Sequence, residues 1–212
     1  MRIAIFGATG KTGLKVTELA LIKGFDVKVL VRNPAKMTIS NPKLEVIRGD
    51  VTNYGDVEKV TMGTDAVIVT LGASSDMISD IVLADGTKNI VRSMKNNQVR
   101  RIIVMSSYAM NGSKEGVSLL KQIGMTDKQI STIKPIFADK MEQERITRNS
   151  GLDFIIIRPV MLTDGDQTEN YRVSDKMNVS PGDSISRADV ADFILKSINS
   201  DEWWGRTVIL SN

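Results

Sequence analysis

A chain of 212 residues suits one α/β domain, and at this length folding hides roughly 70% of the surface of the unfolded chain. The sequence contains no cysteine and no histidine, which excludes disulfides, thiol nucleophiles, a Ser-His-Asp triad and the usual zinc sites. Its 28 basic and 25 acidic residues are too evenly balanced to indicate a nucleic-acid partner. No apolar run reaches membrane-spanning length. We therefore expect a soluble cytoplasmic protein with no bound metal and no nucleic-acid or membrane partner.

The sequence is organised around a glycine-rich turn, GATGKTG at residues 7–13. A short apolar run precedes it and a segment of helical spacing follows, so the glycines lie between a strand and a helix. We expect Gly7 to allow a sharp turn, Gly10 to let backbone approach a pyrophosphate, and Gly13 to let helix and strand pack closely. A turn that binds nothing is the alternative reading. The order of strand, glycines and helix favours a dinucleotide site.

The second predicted strand, residues 25–31, ends at a basic turn. At this position in a nucleotide-binding fold, an acidic residue accepts from the 2′-hydroxyl of NAD, whereas an arginine accommodates the 2′-phosphate of NADP. The chain has Arg32 here, with Lys36 four residues later. One charge-assisted contact is worth roughly 1.5–3 kcal/mol, or about 10- to 150-fold in affinity. We predict NADPH as the cofactor in preference to NADH; a solvated basic turn is the alternative.

Strands and helices continue to alternate along the chain. Further strands are predicted at residues 44–48, 65–72, 101–105, 152–157 and 206–210, and helices at 57–62, 81–94, from Pro135 to Ser150, and after a capping box at 186–189. Such alternation implies right-handed crossovers and a parallel sheet. The sequence therefore predicts a single Rossmann-like domain, a doubly wound parallel sheet spanning residues 1–212. A variable segment at 109–134, a loop with one helical turn, is expected on the substrate side.

Ligands of such sheets bind beyond the carboxyl ends of the strands. Asp50 follows the third predicted strand, where its carboxylate either faces an adenine edge or caps the next helix. Gly72 ends the fourth strand and suits close approach of backbone to a cofactor. The fifth strand leads into the pair Ser106 and Ser107. All these turns are predicted to lie at one edge of the sheet.

The motifs GATGKTG, VLVRNPAK, GDVTNYGDV, DAVIVTLGA and NSGLDFIIIRP occur in this order, with the serine pair between the last two. In these motifs the chain resembles the atypical short-chain dehydrogenase/reductases that include flavin reductase/biliverdin-IXβ reductase and the NmrA-like proteins. The resemblance covers most of the chain and thins between about residues 109 and 135. It implies a cofactor site formed by Gly7, Thr9, Gly10, Lys11, Thr12, Gly13, Arg32, Ala35, Lys36, Asp50, Val51, Leu71, Gly72, Ala73, Ser106, Pro159 and Val160.

The resemblance also implies two candidate catalytic residues. Ser107 matches the active-site serine of the family, beside the nicotinamide, although a strand-end hydroxyl bonded to backbone is the alternative. The family reductase has histidines near its substrate, whereas this chain has Lys140 and Met161 at the apparent equivalents. Lys140 falls near a functional lysine of some NmrA-like reductases, and a solvated helix lysine is its alternative.

No tyrosine forms a Tyr-x-x-x-Lys dyad, since Glu58, Gly112 and Asp175 stand four residues beyond the three tyrosines. Alcohol–ketone chemistry is therefore disfavoured, and so is a sugar-nucleotide epimerase. We predict an NAD(P)H-dependent reductase that passes hydride to a free flavin, which is a substrate and not a prosthetic group, or to a similar planar acceptor such as a bilin or quinone. A non-catalytic, NmrA-like sensor of NADP(H) is the alternative. We expect a monomer or weak homodimer.

Overall fold

The computed structural model describes residues 1–72, 82–109 and 113–212. The strands are β1 (Arg2–Phe6), β2 (Asp26–Val31), β3 (Leu44–Arg48), β4 (Ala66–Val69), β5 (Arg101–Met105), β6 (Asp153–Pro159), β7 (Met161–Thr163), β8 (Arg172–Ser174), β9 (Ser184–Ser186) and β10 (Arg206–Ser211). The helices are α1 (Lys11–Ile22), α2 (Tyr54–Thr61), α3 (Leu83–Asn96), α4 (Lys114–Gln122), α5 (Asp127–Arg148) and α6 (Arg187–Ile198), with a 3₁₀ turn at Pro34–Lys36. Within these residues no helix is both long and apolar enough to cross a bilayer.

The central sheet has the strand order β3-β2-β1-β4-β5-β6-β10-β8. Every pair of neighbours is parallel except β10 and β8, which are antiparallel. The direction of winding reverses between β1 and β4, and this switch point is where open α/β sheets bind ligands. A separate parallel pair joins β7 to β9. The predicted single-domain, Rossmann-like, doubly wound fold is confirmed.

Two apolar layers cover the two faces of the sheet, and its central strands are therefore buried on both sides. Ile3 and Ile5 of β1 point into the layer that contains α1 and α6. Ala4 and Phe6 of the same strand point into the layer that contains α2 and α3. A third, smaller cluster joins α4 to α5 through residues such as Leu120. The strands are thus fixed from both sides, and their carboxyl ends form a rigid edge.

The predicted boundaries hold for β3 and β5, but one helix start is wrong. Helix α5 begins at Asp127, eight residues before Pro135, because Thr126 and Gln129 form a reciprocal capping box. Pro135 lies inside the helix on its exposed side. The buried side chains of this first half, including Ile130, pack against α4 and hold the helix together despite the missing N–H.

Other differences are smaller. Strand β4 covers Ala66–Val69 and is shorter than the predicted 65–72. The predicted start of α3 at Ile81 lies outside the described residues, and the helix is seen from Leu83. The predicted cap at Ser186 is confirmed, since its side chain accepts from the backbone N–H of Asp189. Strands β7, β8 and β9 are absent from the prediction because each has only three residues.

Candidate functional site

The glycine loop (residues 7–13) lies at the carboxyl end of β1, at the switch point of the sheet. Gly7 has φ +90°, and a Cβ there would lie 2.6 Å from the carbonyl carbon of Thr70. The backbone N–H of Gly10 donates to the carbonyl oxygen of Gly7 at 3.0 Å. A side chain at position 7 is therefore excluded by both the backbone conformation and the neighbouring strand end.

The other two glycines of the loop differ from each other. A Cβ at Gly13 would lie 2.1 Å from the carbonyl oxygen of Gly7, so this glycine lets α1 pack against the strand end. A Cβ at Gly10 would lie 3.3 Å from the carbonyl oxygen of Gly7, so packing requires a glycine here less strictly than at Gly13. Thr12 is buried beneath the loop and Thr9 is half-buried. The loop thus leaves the position of Gly10 open for a ligand.

Among the described residues, no side chain accepts from the free N–H groups at the N-terminus of α1. Gly10 is the N-cap and the first turn contains no acidic residue. The other helices in the described part of the chain are capped by side chains: Asn53, Ser113, Thr126 and Ser186 cap α2, α4, α5 and α6, and the Asp139 carboxylate accepts from the first N–H groups of α3. The N–H groups and positive dipole end of α1 are therefore suited to an anion such as a pyrophosphate.

The basic turn after β2 lies beside the turn after β3. Arg32, Ala35 and Lys36 are exposed there, and Asn33 caps the 3₁₀ turn by accepting from the N–H of Ala35 at 3.1 Å. Hydrogen bonds from Thr52 to Asp50 lower the pKa of that carboxyl, and the nearby charge of Arg32 lowers it further. Asp50 and Arg32 therefore lie close together at the end of the sheet where an adenine ribose is expected.

Asp50 and Val51 follow β3 in this turn. Asp50 accepts from the backbone N–H and the hydroxyl of Thr52, at 2.8 and 2.6 Å. It does not cap α2, because Asn53 does so, and the capping alternative for Asp50 is wrong. Val51 is buried and packs close to Gly86 of α3.

On the other side of the switch point, the ends of β4, β5 and β6 bring the remaining candidates together. Leu71 is half-buried and Gly72 is exposed, whereas Ala73 lies outside the described residues. The N–H of Ser106 donates to the carbonyl oxygen of Ile157 at 2.7 Å. The N–H of Tyr108 donates to the carbonyl oxygen of Pro159 at 3.0 Å. Ser107 is half-buried, and Pro159 and Val160 are buried at the adjacent strand end.

Lys140 is 6% exposed on α5, so the alternative of a solvated helix lysine is wrong. Burial lowers the pKa of this lysine from 10.5 to about 8, while the charges of Glu144 and Asp139 act in the opposite direction. Within the described residues, Nζ of Lys140 takes part in none of the hydrogen bonds or ion pairs. Asp139 accepts from the N–H groups of Leu83 and Ala84, so this part of α5 lies against the start of α3.

The charge of Glu144, which acts on Lys140, belongs to an ionic cluster of Glu144, Arg148 and Arg158. Glu144 is 2% exposed and accepts two hydrogen bonds from Arg158, at 2.9 and 2.6 Å, and one from Arg148 at 2.6 Å. Burial alone raises the pKa of Glu144, but hydrogen bonding from Arg158 and Ser106, with the charges of both arginines, keeps it below its ordinary value. The buried Ser106 hydroxyl contributes although its geometry falls short of a regular hydrogen bond. The charge of Lys140 and the hydroxyl of Ser106 therefore both influence the Glu144 carboxylate.

Sequence reasoning missed the roles of Glu144 and Arg158. A signal was present on the helix, since Lys140, Glu144 and Arg148 follow one another at intervals of four residues and so share one face. The contribution of Arg158 has no such signal, because it comes from β6 through tertiary packing.

The tyrosines are placed in agreement with the missing dyad. The hydroxyl of Tyr54 donates to Glu58 at 2.7 Å, and that of Tyr171 donates to the buried Asp192 at 2.8 Å. Four residues before Lys140, where a Tyr-x-x-x-Lys pair has its tyrosine, the chain has the buried Ile136. Lys140 therefore has no tyrosine at the spacing of such a dyad.

Comparisons with known proteins agree with this geometry. A family model described as NAD(P)H-binding matches residues 7–201. An uncharacterized chloroplastic protein of Arabidopsis thaliana is 29% identical over 215 aligned positions, covering 95% of this chain and 73% of the relative. Among solved structures, the oxidoreductase ylbE of Lactococcus lactis superposes with a TM-score of 0.81 at 21% identity, covering 100% of this chain and 91% of that one. ChuY, an anaerobillin reductase of Escherichia coli O157:H7, has a TM-score of 0.81 at 20% identity, covering 99% and 96%.

Fold, loop and family match together define an NAD(P)H-binding domain of Rossmann-like fold. The chain belongs to the NAD(P)H-binding family, and its structural neighbours are atypical short-chain reductases and epimerases, as the sequence motifs predict. The site fits such a cofactor because an uncapped helix N-terminus, a loop open at Gly10 and a basic turn lie along one edge.

Proposed function

We propose that the protein transfers hydride from NADPH to a free flavin or to another planar acceptor such as a bilin or quinone. The observation that carries the proposal is the set of groups at the carboxyl edge of the sheet around the switch point. One side is the uncapped N-terminus of α1, and the other is formed by Ser107 and Pro159 at neighbouring strand ends. Lys140 has the buried Ile136, and not a tyrosine, four residues before it. The structural similarity to an anaerobillin reductase supports a planar acceptor.

In this proposal, three groups of residues along the edge bind the cofactor. The glycine loop and the first N–H groups of α1 hold the pyrophosphate. Arg32 and Lys36 face the 2′-phosphate, which makes NADPH the preferred cofactor over NADH. Asp50 lies beside Arg32 and faces the adenosine. When bound, the nicotinamide supplies the hydride.

The acceptor end requires little from the protein except position. A flavin ring delocalises the incoming electrons itself, and water supplies the proton that follows. Ser107 hydrogen-bonds the carboxamide or the acceptor, and Pro159 and Val160 provide an apolar floor. Lys140 supplies a positive charge near Glu144 and Ser106, and its burial makes that charge titrate around pH 8. The donor and acceptor atoms have to be held roughly 3–3.5 Å apart.

The test is NADPH oxidation followed by absorbance under anaerobic conditions, with FMN, FAD, riboflavin, a quinone or biliverdin as acceptor. We expect turnover with at least one flavin, and lower turnover in Ser107→Ala and Lys140→Ala. Ser180→Ala, at an exposed serine between β8 and β9, is the matched control. NADPH binding without turnover on any of these acceptors would contradict the proposal and favour the NADP(H) sensor. Unchanged turnover in both site variants would remove the catalytic roles of Ser107 and Lys140.

A further inference from the structure

A carboxylate lies beside the glycine loop and holds two cations that start neighbouring helices. Asp164 follows β7, and its Oδ2 accepts from Nζ of Lys11 at 3.0 Å. Its Oδ1 accepts from Nη1 of Arg187 at 2.5 Å. Lys11 is the first residue of α1, and Arg187 is the first residue of α6.

The fold keeps Asp164 in this place. Strand β7 pairs with β9 in the register Thr163 to Ser186, so Asp164 emerges next to the start of α6. Helices α1 and α6 pack side by side in the same apolar layer. The two helix N-termini and their cations therefore point to one region beside the glycine loop, and Asp164 contributes the negative charge there.

The contact between Lys11 and Asp164 is easily replaced. Their side chains are 71% and 64% exposed, and exposed ion pairs contribute little net stability. Arg187 is only 18% exposed at its side chain, so its guanidinium stays in place whichever anion it faces. A pyrophosphate carries more charge than one carboxylate and gains from the helix N-terminus as well.

We propose that Asp164 competes with the cofactor pyrophosphate for Lys11 and thereby weakens dinucleotide binding. The inference rests on the proposed use of the glycine loop for a dinucleotide. It assigns Asp164 as a residue that sets cofactor affinity and release, and not as a catalytic residue. Because the pyrophosphate is common to both cofactors, Asp164 weakens NADPH and NADH equally, in contrast to Arg32, which acts on the 2′-phosphate alone.

The experiment is a calorimetric titration of wild type and Asp164→Asn with NADPH, NADH and inorganic pyrophosphate. We expect Asp164→Asn to bind both dinucleotides about three- to tenfold more tightly, by the same factor, and the gain to shrink as salt is raised. Asp166→Asn is the matched control, since it removes the same charge from the same loop and the described residues give Asp166 no ion pair. Thermal unfolding of each variant checks that the fold is retained.

The Lys11→Gln background isolates the contact. There the effect of Asp164→Asn should disappear, because the competing pair no longer exists. Unchanged or weaker binding by Asp164→Asn would overturn the inference, as would an equal gain in Asp166→Asn or a gain that persists in Lys11→Gln. Flavin turnover is a separate readout. Turnover without the affinity gain would support the proposed reductase and contradict the role proposed for Asp164. An affinity gain without turnover would support that role and contradict the flavin acceptor.

Discussion

The glycine loop and the ionic cluster on α5 lie at the same edge of the sheet but are built in different ways. The loop is fixed by backbone geometry: a Cβ at Gly7 or Gly13 would lie within 2.6 Å of neighbouring backbone. The cluster is fixed by side chains from two elements, with Arg158 of β6 bonded to Glu144 of α5. The comparison shows that backbone contacts, including those from Thr70 after β4, determine the loop, whereas side chains of α5 and β6 determine the cluster.

The largest effect is expected in the ionic cluster. Glu144→Gln keeps the shape but leaves Arg158 and Arg148 without the buried negative charge, and we expect it to lower the free energy of unfolding by about 3–5 kcal/mol. Glu142→Gln is the control, because its pair with Arg145 is exposed and is worth about 0–1 kcal/mol. Urea unfolding measures both. Equal, small losses would show that the cluster contributes no more than a surface pair.

The glycine loop should respond through its backbone. Gly7→Ala places a Cβ at φ +90° against Thr70, and we expect a loss of about 2–4 kcal/mol in unfolding free energy. Gly10→Ala has a nearest contact of 3.3 Å, so its stability should change by less than about 1 kcal/mol while NADPH binding weakens. Urea unfolding and titration separate the two effects. Strong NADPH binding by Gly10→Ala would contradict the placement of the pyrophosphate.

The effect expected at Lys140 concerns the pH dependence of stability. Because burial lowers its folded-state pKa to about 8, the unfolded chain binds more protons between pH 8 and 10.5, and stability rises with pH in this window. Lys140→Met should lack this rise and should melt a few degrees higher at pH 7. Lys134→Met, at an exposed lysine of the same helix, is the control. Parallel pH profiles of wild type and Lys140→Met would show that Lys140 titrates normally.

The sequence predicted what local geometry determines. The order of strand, glycines and helix was sufficient to place Gly7, Gly10 and Gly13 on the switch point, and the buried apolar strands gave the sheet. The predicted start of α5 at Pro135 is wrong because proline is typical of a first helical turn, whereas this helix begins at the capping box of Thr126 and Gln129. The short strands β7–β9 carry too few residues for a periodic pattern.

Some residues of the candidate site could be predicted from the sequence and others could not. Residues that follow strands, such as Arg32 and Ser107, could be placed at the carboxyl edge because parallel strands end together. The contact between Lys11 and Asp164 could not, since it depends on elements far apart in the chain. The burial of Lys140 had a local signal that was missed, because Ile133, Ile136 and Lys140 follow one another at helical spacing on the apolar face of α5.

The central claim is that a nicotinamide dinucleotide lies along this edge with its 2′-phosphate at Arg32. Calorimetric titration of wild type and Arg32→Ala with NADPH and NADH tests it most directly. We predict one site per chain, tighter binding of NADPH than of NADH by wild type, and a loss of about 10- to 150-fold for NADPH alone in Arg32→Ala. A folded protein that releases no heat with either cofactor would contradict the account, and so would equal losses for both cofactors in the variant.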